Sequence, residues 1–133
     1  MAKILIADDQ DVIRSTIARI IRKMNHVPVE AKNGREAWEI FQDGSIALSI
    51  VDIKMPEMSG IDFLKKAKAL DPDAIIIMLT GYPSAETIVE TIEEDGYTYI
   101  TKPVQMEQLM DLINRGLSCR EQRIGERKAS EID

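Results

Sequence analysis

The chain has 133 residues, of which 44% are hydrophobic and 30% charged, and its 17 basic and 23 acidic side chains leave a net charge of -6. That length and composition suit one globular domain and exclude a disordered body, and the acidic balance argues against direct binding of nucleic acid, where basic residues supply most of the affinity. A single cysteine, Cys119, excludes an intramolecular disulfide and a two-cysteine metal motif, and suits a reduced, cytoplasmic compartment.

The first apolar run, "ILIA" (Ile4 to Ala7), ends in Asp8, Asp9 and, one residue on, Asp11. The run is too short for a signal-peptide core, and no run in the chain approaches bilayer-spanning length, so a soluble, non-secreted protein without a membrane segment is expected. Crowded carboxylates raise one another's cost of ionisation. Capping the following helix explains one acid but not three, which leaves an ion site as the competing explanation.

A helical stripe follows at Ile13, Ile17, Ile20 and Met24, then a weaker alternating run, "VPVEA", whose Pro28 and polar face suit an edge strand. Next come a stripe at Ala37, Ile40 and Phe41, the buried-strand run "IALSIV" (Ile46 to Val51), and a stripe at Ile61, Leu64 and Ala67. The run "AIIIML" (Ala74 to Leu79) precedes a fourth stripe at Ala85, Ile88, Val89 and Ile92. The last pair is "YTYIT" (Tyr97 to Thr101) and a fifth stripe at Met106, Leu109, Ile113 and Leu117. From Ser118 the stripe fades, so residues 118–133 read as a polar helix end or linker after a domain of residues 1–117.

Five strands alternating with five helices imply an α/β fold, a parallel sheet covered by helices on both faces. In such sheets ligands bind beyond the carboxyl ends of the strands. The residues at those ends are Asp8 and Asp9, Asp52, Thr80, and Thr101 with Lys102. Three carboxylates are a donor set for a hard cation such as Mg2+. A hydroxyl and an ammonium beside them serve an anion, and the implied guest is a phosphoryl group. Asp52, the single acid at the end of the central run, is the candidate nucleophile for an acyl phosphate, with Asp8 and Asp9 holding the metal.

Four motifs in order, "ADD", "VDIKMPEMSG", "LTG" and "YITKPV", resemble the response-regulator receiver domain of two-component signalling. The resemblance runs from about Lys3 to Leu117. It implies a flavodoxin-like five-stranded sheet of order 2-1-3-4-5, and a switch that is not an enzyme beyond its own phosphorylation and dephosphorylation. Its phosphoryl donor would be a sensor histidine kinase or a histidine phosphotransfer protein. It implies Asp52 as phosphoacceptor, Mg2+ held by Asp9, Asp52 and the carbonyl of Lys54 with Asp8 acting through a water, Thr80 and Lys102 on the phosphoryl oxygens, and a cis bond between Lys102 and Pro103. Tyr99 would be the aromatic that follows Thr80 inward. Strand alternation alone does not separate it from Tyr97. Output would pass through residues 84–117, to a homodimer or a downstream effector.

Two features outside the reacting shell depart from the commonest receiver pattern, Asp95-Gly96 before the last strand and Val104 after the Lys-Pro pair. Lys54 and Tyr82 would flank the path of the attacking water. Met55, Pro56, Met58 and Gly60 are loop architecture. The alternative reading, a haloacid-dehalogenase-like phosphotransferase, needs a second Asp two residues after the nucleophile, where this chain has Lys54.

Overall fold

The computed structural model of the chain describes residues 1–81 and 98–132. The chain alternates strand and helix: β1 (Lys3–Ala7), α1 (Asp11–Lys23), β2 (Val27–Ala31), α2 (Gly34–Phe41), β3 (Ile46–Asp52), α3 (Gly60–Leu70), β4 (Ile76–Thr80), β5 (Thr98–Thr101) and α4 (Met106–Ile132). All five strands are parallel, in the order β2-β1-β3-β4-β5. The fold is the flavodoxin-like one expected. The fourth helical stripe, Ala85 to Ile92, and with it Tyr82 and Tyr97, lies outside the described residues.

Strand alternation divides the apolar residues between two cores. Ile4, Ile6, Ile50, Ile77 and Leu79 face α1 and α4, where they meet Ile17, Ile21, Leu109 and Ile113. Leu5, Ala7, Val51, Ile76 and Met78 face α2 and α3, where they meet Phe41, Phe63 and Leu64. Phe41 meets Phe63 edge-on at 5.5 Å and stacks on Trp38 at 6.2 Å. With both faces covered, the inner strands carry no polar side and read as continuous apolar runs.

Helix starts follow local chemistry. Asn33 and Ser59 cap α2 and α3, their side chains accepting from the N–H groups of Glu36 (2.8 Å) and Asp62 (3.1 Å). The polar stretch after Ser118 is helix through Ile132. Arg120 Nη1 donates to Asp71 Oδ2 (2.9 Å) and to the Asp73 carbonyl (3.2 Å), and Arg127 pairs with Asp73 (2.9 Å). These contacts hold the end of the helix against the α3–β4 connection. Among the described residues no helix is long and apolar enough to cross a membrane.

The loop from β3 to α3 is the most constrained part of the frame. Gly60 donates to the Ile53 carbonyl (2.9 Å), and a Cβ on it would lie 2.2 Å from the Asp52 carbonyl oxygen. A Cβ on Gly34 would lie 2.0 Å from the Met58 carbonyl oxygen. Both helices therefore start as close to the loop as a backbone without side chains permits. Between them Met58 N–H donates to the Pro56 carbonyl (2.8 Å) across Glu57, whose φ is 68°, a γ-turn in the left-handed region. Gly125, in contrast, has nothing within 4 Å of a would-be Cβ. Gly60→Ala should therefore cost about 2 kcal/mol or more by overpacking, whereas Gly125→Ala should stabilise by about 0.5–1 kcal/mol through helix propensity. Urea denaturation of the two variants checks the opposite signs.

Candidate functional site

Strand register brings the acids together. Ala7 pairs with Val51, so Asp8 and Asp52 leave adjacent strands side by side, and Asp52 pairs in turn with Leu79, one residue before Thr80. Thr80 pairs with Thr101, and the Lys102 N–H donates to the Thr80 carbonyl (2.8 Å), which carries the ladder one step further. Asp8, Asp52, Thr80 and Lys102 thus each stand at, or one step past, the end of a strand, and Asp9 follows Asp8. The Lys102–Pro103 peptide bond is cis.

Asp8 and Asp52 are buried and Asp9 is exposed, and carboxylate oxygens of the three lie within 4.8 Å of one another. The Lys102 ammonium sits 2.8 Å from Asp8 Oδ2 and 3.1 Å from Asp52 Oδ2. Asp8 Oδ1 accepts from Gln10 N–H (2.8 Å) and Asp52 Oδ1 from Lys54 N–H (3.3 Å). Asp8 Oδ2 is fully buried, and its partner among the described residues is the Lys102 ammonium at 2.8 Å. Three carboxylates within 4.8 Å of one another, two of them buried and sharing a single ammonium, are a donor set that suits a hard cation.

Burial and the neighbouring Asp8 charge push the Asp52 carboxyl above its ordinary value, against the pull of Lys102. Burial works against the Lys102 charge, but its contacts with Asp8 and Asp52 outweigh it and raise the ammonium's pKa. The cleft above these groups has a volume of about 300 Å³ and is lined by Asp9, Asp52, Lys54, Thr80, Gly81 and Lys102. The structure therefore gathers Asp8, Asp9, Asp52, Thr80 and Lys102, with Lys54 on the rim. Tyr99, on β5, pairs with Met78 of β4 and is 37% exposed.

Sequence reasoning missed one residue, Arg14. Its guanidinium lies beneath the β1–α1 turn, where Nη1 donates to the Asp8 carbonyl (2.7 Å) and Nη2 pairs with Asp11. The signal was available, because Arg14, Ile17, Ala18 and Ile21 form an i, i+3, i+4, i+7 set, all of it buried.

An acidic cleft with an ammonium, at the carboxyl edge of a five-stranded parallel sheet, defines a class of proteins that receive a phosphoryl group on a carboxylate. The response regulator receiver domain matches residues 4–114, and the chain belongs to that family. It is 36% identical over 117 residues to the chemotaxis protein CheY of Bacillus subtilis, covering 87% of this chain and 98% of that protein. A receiver domain protein of Methanospirillum hungatei superposes with a TM-score of 0.88 at 31% identity, over 92% of this chain and 98% of the other. The chain spans less than a third of the length of some other relatives. It covers 31% of a cyclic di-GMP phosphodiesterase of Thermotoga maritima (32% identical, 88% of this chain) and 24% of the transcriptional regulator NtrC of Azospirillum brasilense (29% identical, 88% of this chain). The chain is a phosphorylation-dependent signalling switch, and the dehalogenase-like alternative has no support.

The raised pKa of Asp52 fixes a sign. In the window between the ordinary carboxyl value and the raised one, the folded chain keeps a proton that the unfolded chain has released. Stability must then fall as pH rises through that window. Without metal, wild-type protein should lose stability as pH rises above the ordinary carboxyl value. Asp52→Asn should lack this loss and be the more stable form at pH 7, as read by urea denaturation across pH in the presence of a chelator.

Proposed function

We propose that Asp52 is the phosphoacceptor of a Mg2+-dependent receiver switch served by a histidine kinase or a histidine phosphotransfer protein. The observation that carries this reading is the ammonium of Lys102 between two buried carboxylates, 2.8 Å from Asp8 and 3.1 Å from Asp52. Such an ion pair satisfies the site at rest and can exchange a carboxylate for a phosphoryl oxygen.

Asp8, Asp9 and Asp52, with the carbonyl of Lys54, are oxygen donors of the kind Mg2+ takes, and three carboxylates that share one ammonium favour a further cation. Bound there, Mg2+ supplies the positive charge that lets a phosphoryl anion approach three acids. An Asp52 carboxylate oxygen attacks the donor's phosphorus, the bond from phosphorus to the donor breaks, and the donor keeps the electron pair. Lys102 then pairs with one equatorial oxygen and the Thr80 hydroxyl with another. Beside the cleft Val12, Ile13, Thr16, Pro103 and Val104 line an apolar groove of about 520 Å³, and Val12 is 78% exposed. That surface suits a protein donor. Lys54 and Tyr82 govern access of the hydrolytic water. The self-directed chemistry ends there, with no separate substrate, and the setting is the cytoplasm.

Incubation with a small acyl-phosphate donor and Mg2+ should add one phosphoryl group by intact mass. Asp52→Asn and metal chelation should each abolish the addition. Modification of Asp52→Asn at the wild-type rate would sink the assignment.

On transfer Lys102 exchanges a carboxylate partner for a phosphoryl oxygen and the Thr80 hydroxyl meets another, and both end strands that border residues 98–117, the described part of the output segment 84–117. A ligand moves a two-state protein only as far as its differential affinity allows, and these contacts supply that difference. Tyr99 follows Thr80 inward, and the exposed Tyr99 and Met106 mark the surface that a second copy or an effector reads. With beryllofluoride and Mg2+, hydrogen exchange should slow between residues 98 and 117. A change confined to α1 and α2 would refute this output, and the mass in solution separates a homodimer from a heterologous partner.

A further inference from the structure

We propose that Arg14 is a positioning residue of the metal site, holding the β1–α1 turn so that Asp8 and Asp9 present their carboxylates together; this rests on the reading of Asp8, Asp9 and Asp52 as a Mg2+ site. The side chain of Arg14 is only 10% exposed although it stands in the first turn of a surface helix. A buried arginine needs partners to offset its desolvation. It has three, each on a different element. Nη1 donates to the Asp8 carbonyl (2.7 Å) just past β1, Nη2 pairs with Asp11 at the start of α1, and Nε lies 3.5 Å from Glu30 Oε1 on β2.

The Asp8 carbonyl belongs to the peptide plane that joins Asp8 to Asp9. Asp8 is already held on its own side by its N–H bond to the Ala31 carbonyl (3.2 Å), so tethering the oxygen of this planar unit restrains its tilt and with it the Cα of Asp9. Arg14 thus acts on two of the three acids without touching either carboxylate. A lysine could not replace it, since only a planar fork reaches a carbonyl and two carboxylates at once. The charges also balance in the right direction. Asp11 and Glu30 flank the guanidinium, so it braces the turn while presenting little net positive charge to an incoming cation.

The test is the Mg2+ affinity of the full chain by calorimetry, which reads the site without any phosphoryl chemistry. Arg14→Met should raise the Kd about tenfold, the lower end of what losing an outer-shell partner costs a metal site. Arg14→Lys should fall between the two. In Mg2+-free buffer both should speed hydrogen exchange at Asp9 and Gln10. Ile17→Val, a core change one turn along α1, should keep the Kd within twofold of wild type and so separate positioning from general stability. A folded Arg14→Met with a Kd within twofold of wild type, or an Ile17→Val that loses as much affinity, overturns the proposal. If Arg14→Met does not fold, Arg14→Lys decides by the same twofold criterion. Wild-type protein that takes up no Mg2+, or Asp52→Asn that binds it equally well, overturns the reading of the site itself, whatever Arg14 does.

Discussion

The structure turns on a repulsion held in check. Parallel register sets Asp8 and Asp52 next to each other at the buried edge of the sheet, where water screens their charges poorly. Two like charges so placed are tolerable only beside a cation. The ammonium of Lys102 supplies it from the far side of β4, reaching both carboxylates at once. The ladder that runs from β1 through β3 and β4 to β5 exists, in effect, to bring that ammonium within reach of those acids.

The supporting frame is correspondingly rigid. Two glycines bring the starts of α2 and α3 against the β3–α3 loop, and that loop carries Lys54, whose N–H donates to Asp52. Stiffness here suits the proposed role of Asp52, because in-line transfer demands that the nucleophile stay where the donor will find it. The opposite side of the cleft is different. Thr80 and Lys102 end β4 and β5, the strands on the far side of β3 from β1, and β5 is the sheet's edge. In the proposed switch, the exchange of partners at Lys102 therefore acts on an edge strand, while Asp52 stays on the central one.

Much of this was legible in the sequence for a simple reason. Strands buried on both faces show as apolar runs, and the residues that follow such runs must lie along one edge, so Asp8, Asp9, Asp52, Thr80 and Lys102 could be grouped before any coordinate was known. Register was not legible, since nothing in "ILIA" or "IALSIV" says that Ala7 lies opposite Val51. Burial also begins before pairing does. Ala74 and Ile75 are buried, yet β4 starts at Ile76, so the apolar run overstates the strand. The order of α4 past Ser118 escaped notice because Arg120 and Arg127 are tied to Asp71 and Asp73, and ion pairs between distant positions leave no periodic trace. Arg14 hid for the converse reason, as a charge inside an apolar stripe that the eye assigns to the solvent face.

The unbroken course of α4 has a mechanical meaning. Twenty-seven residues of helix rise about 40 Å, and the helix begins four residues after Lys102. A rod rooted so close to the reacting groups works as a gear. A tilt of about ten degrees at Met106 becomes a displacement of roughly 7 Å at the far end. The arginine ties to Asp71 and Asp73 set how stiffly that gear is loaded, and because they are partly exposed ion pairs, dissolved salt tunes the load.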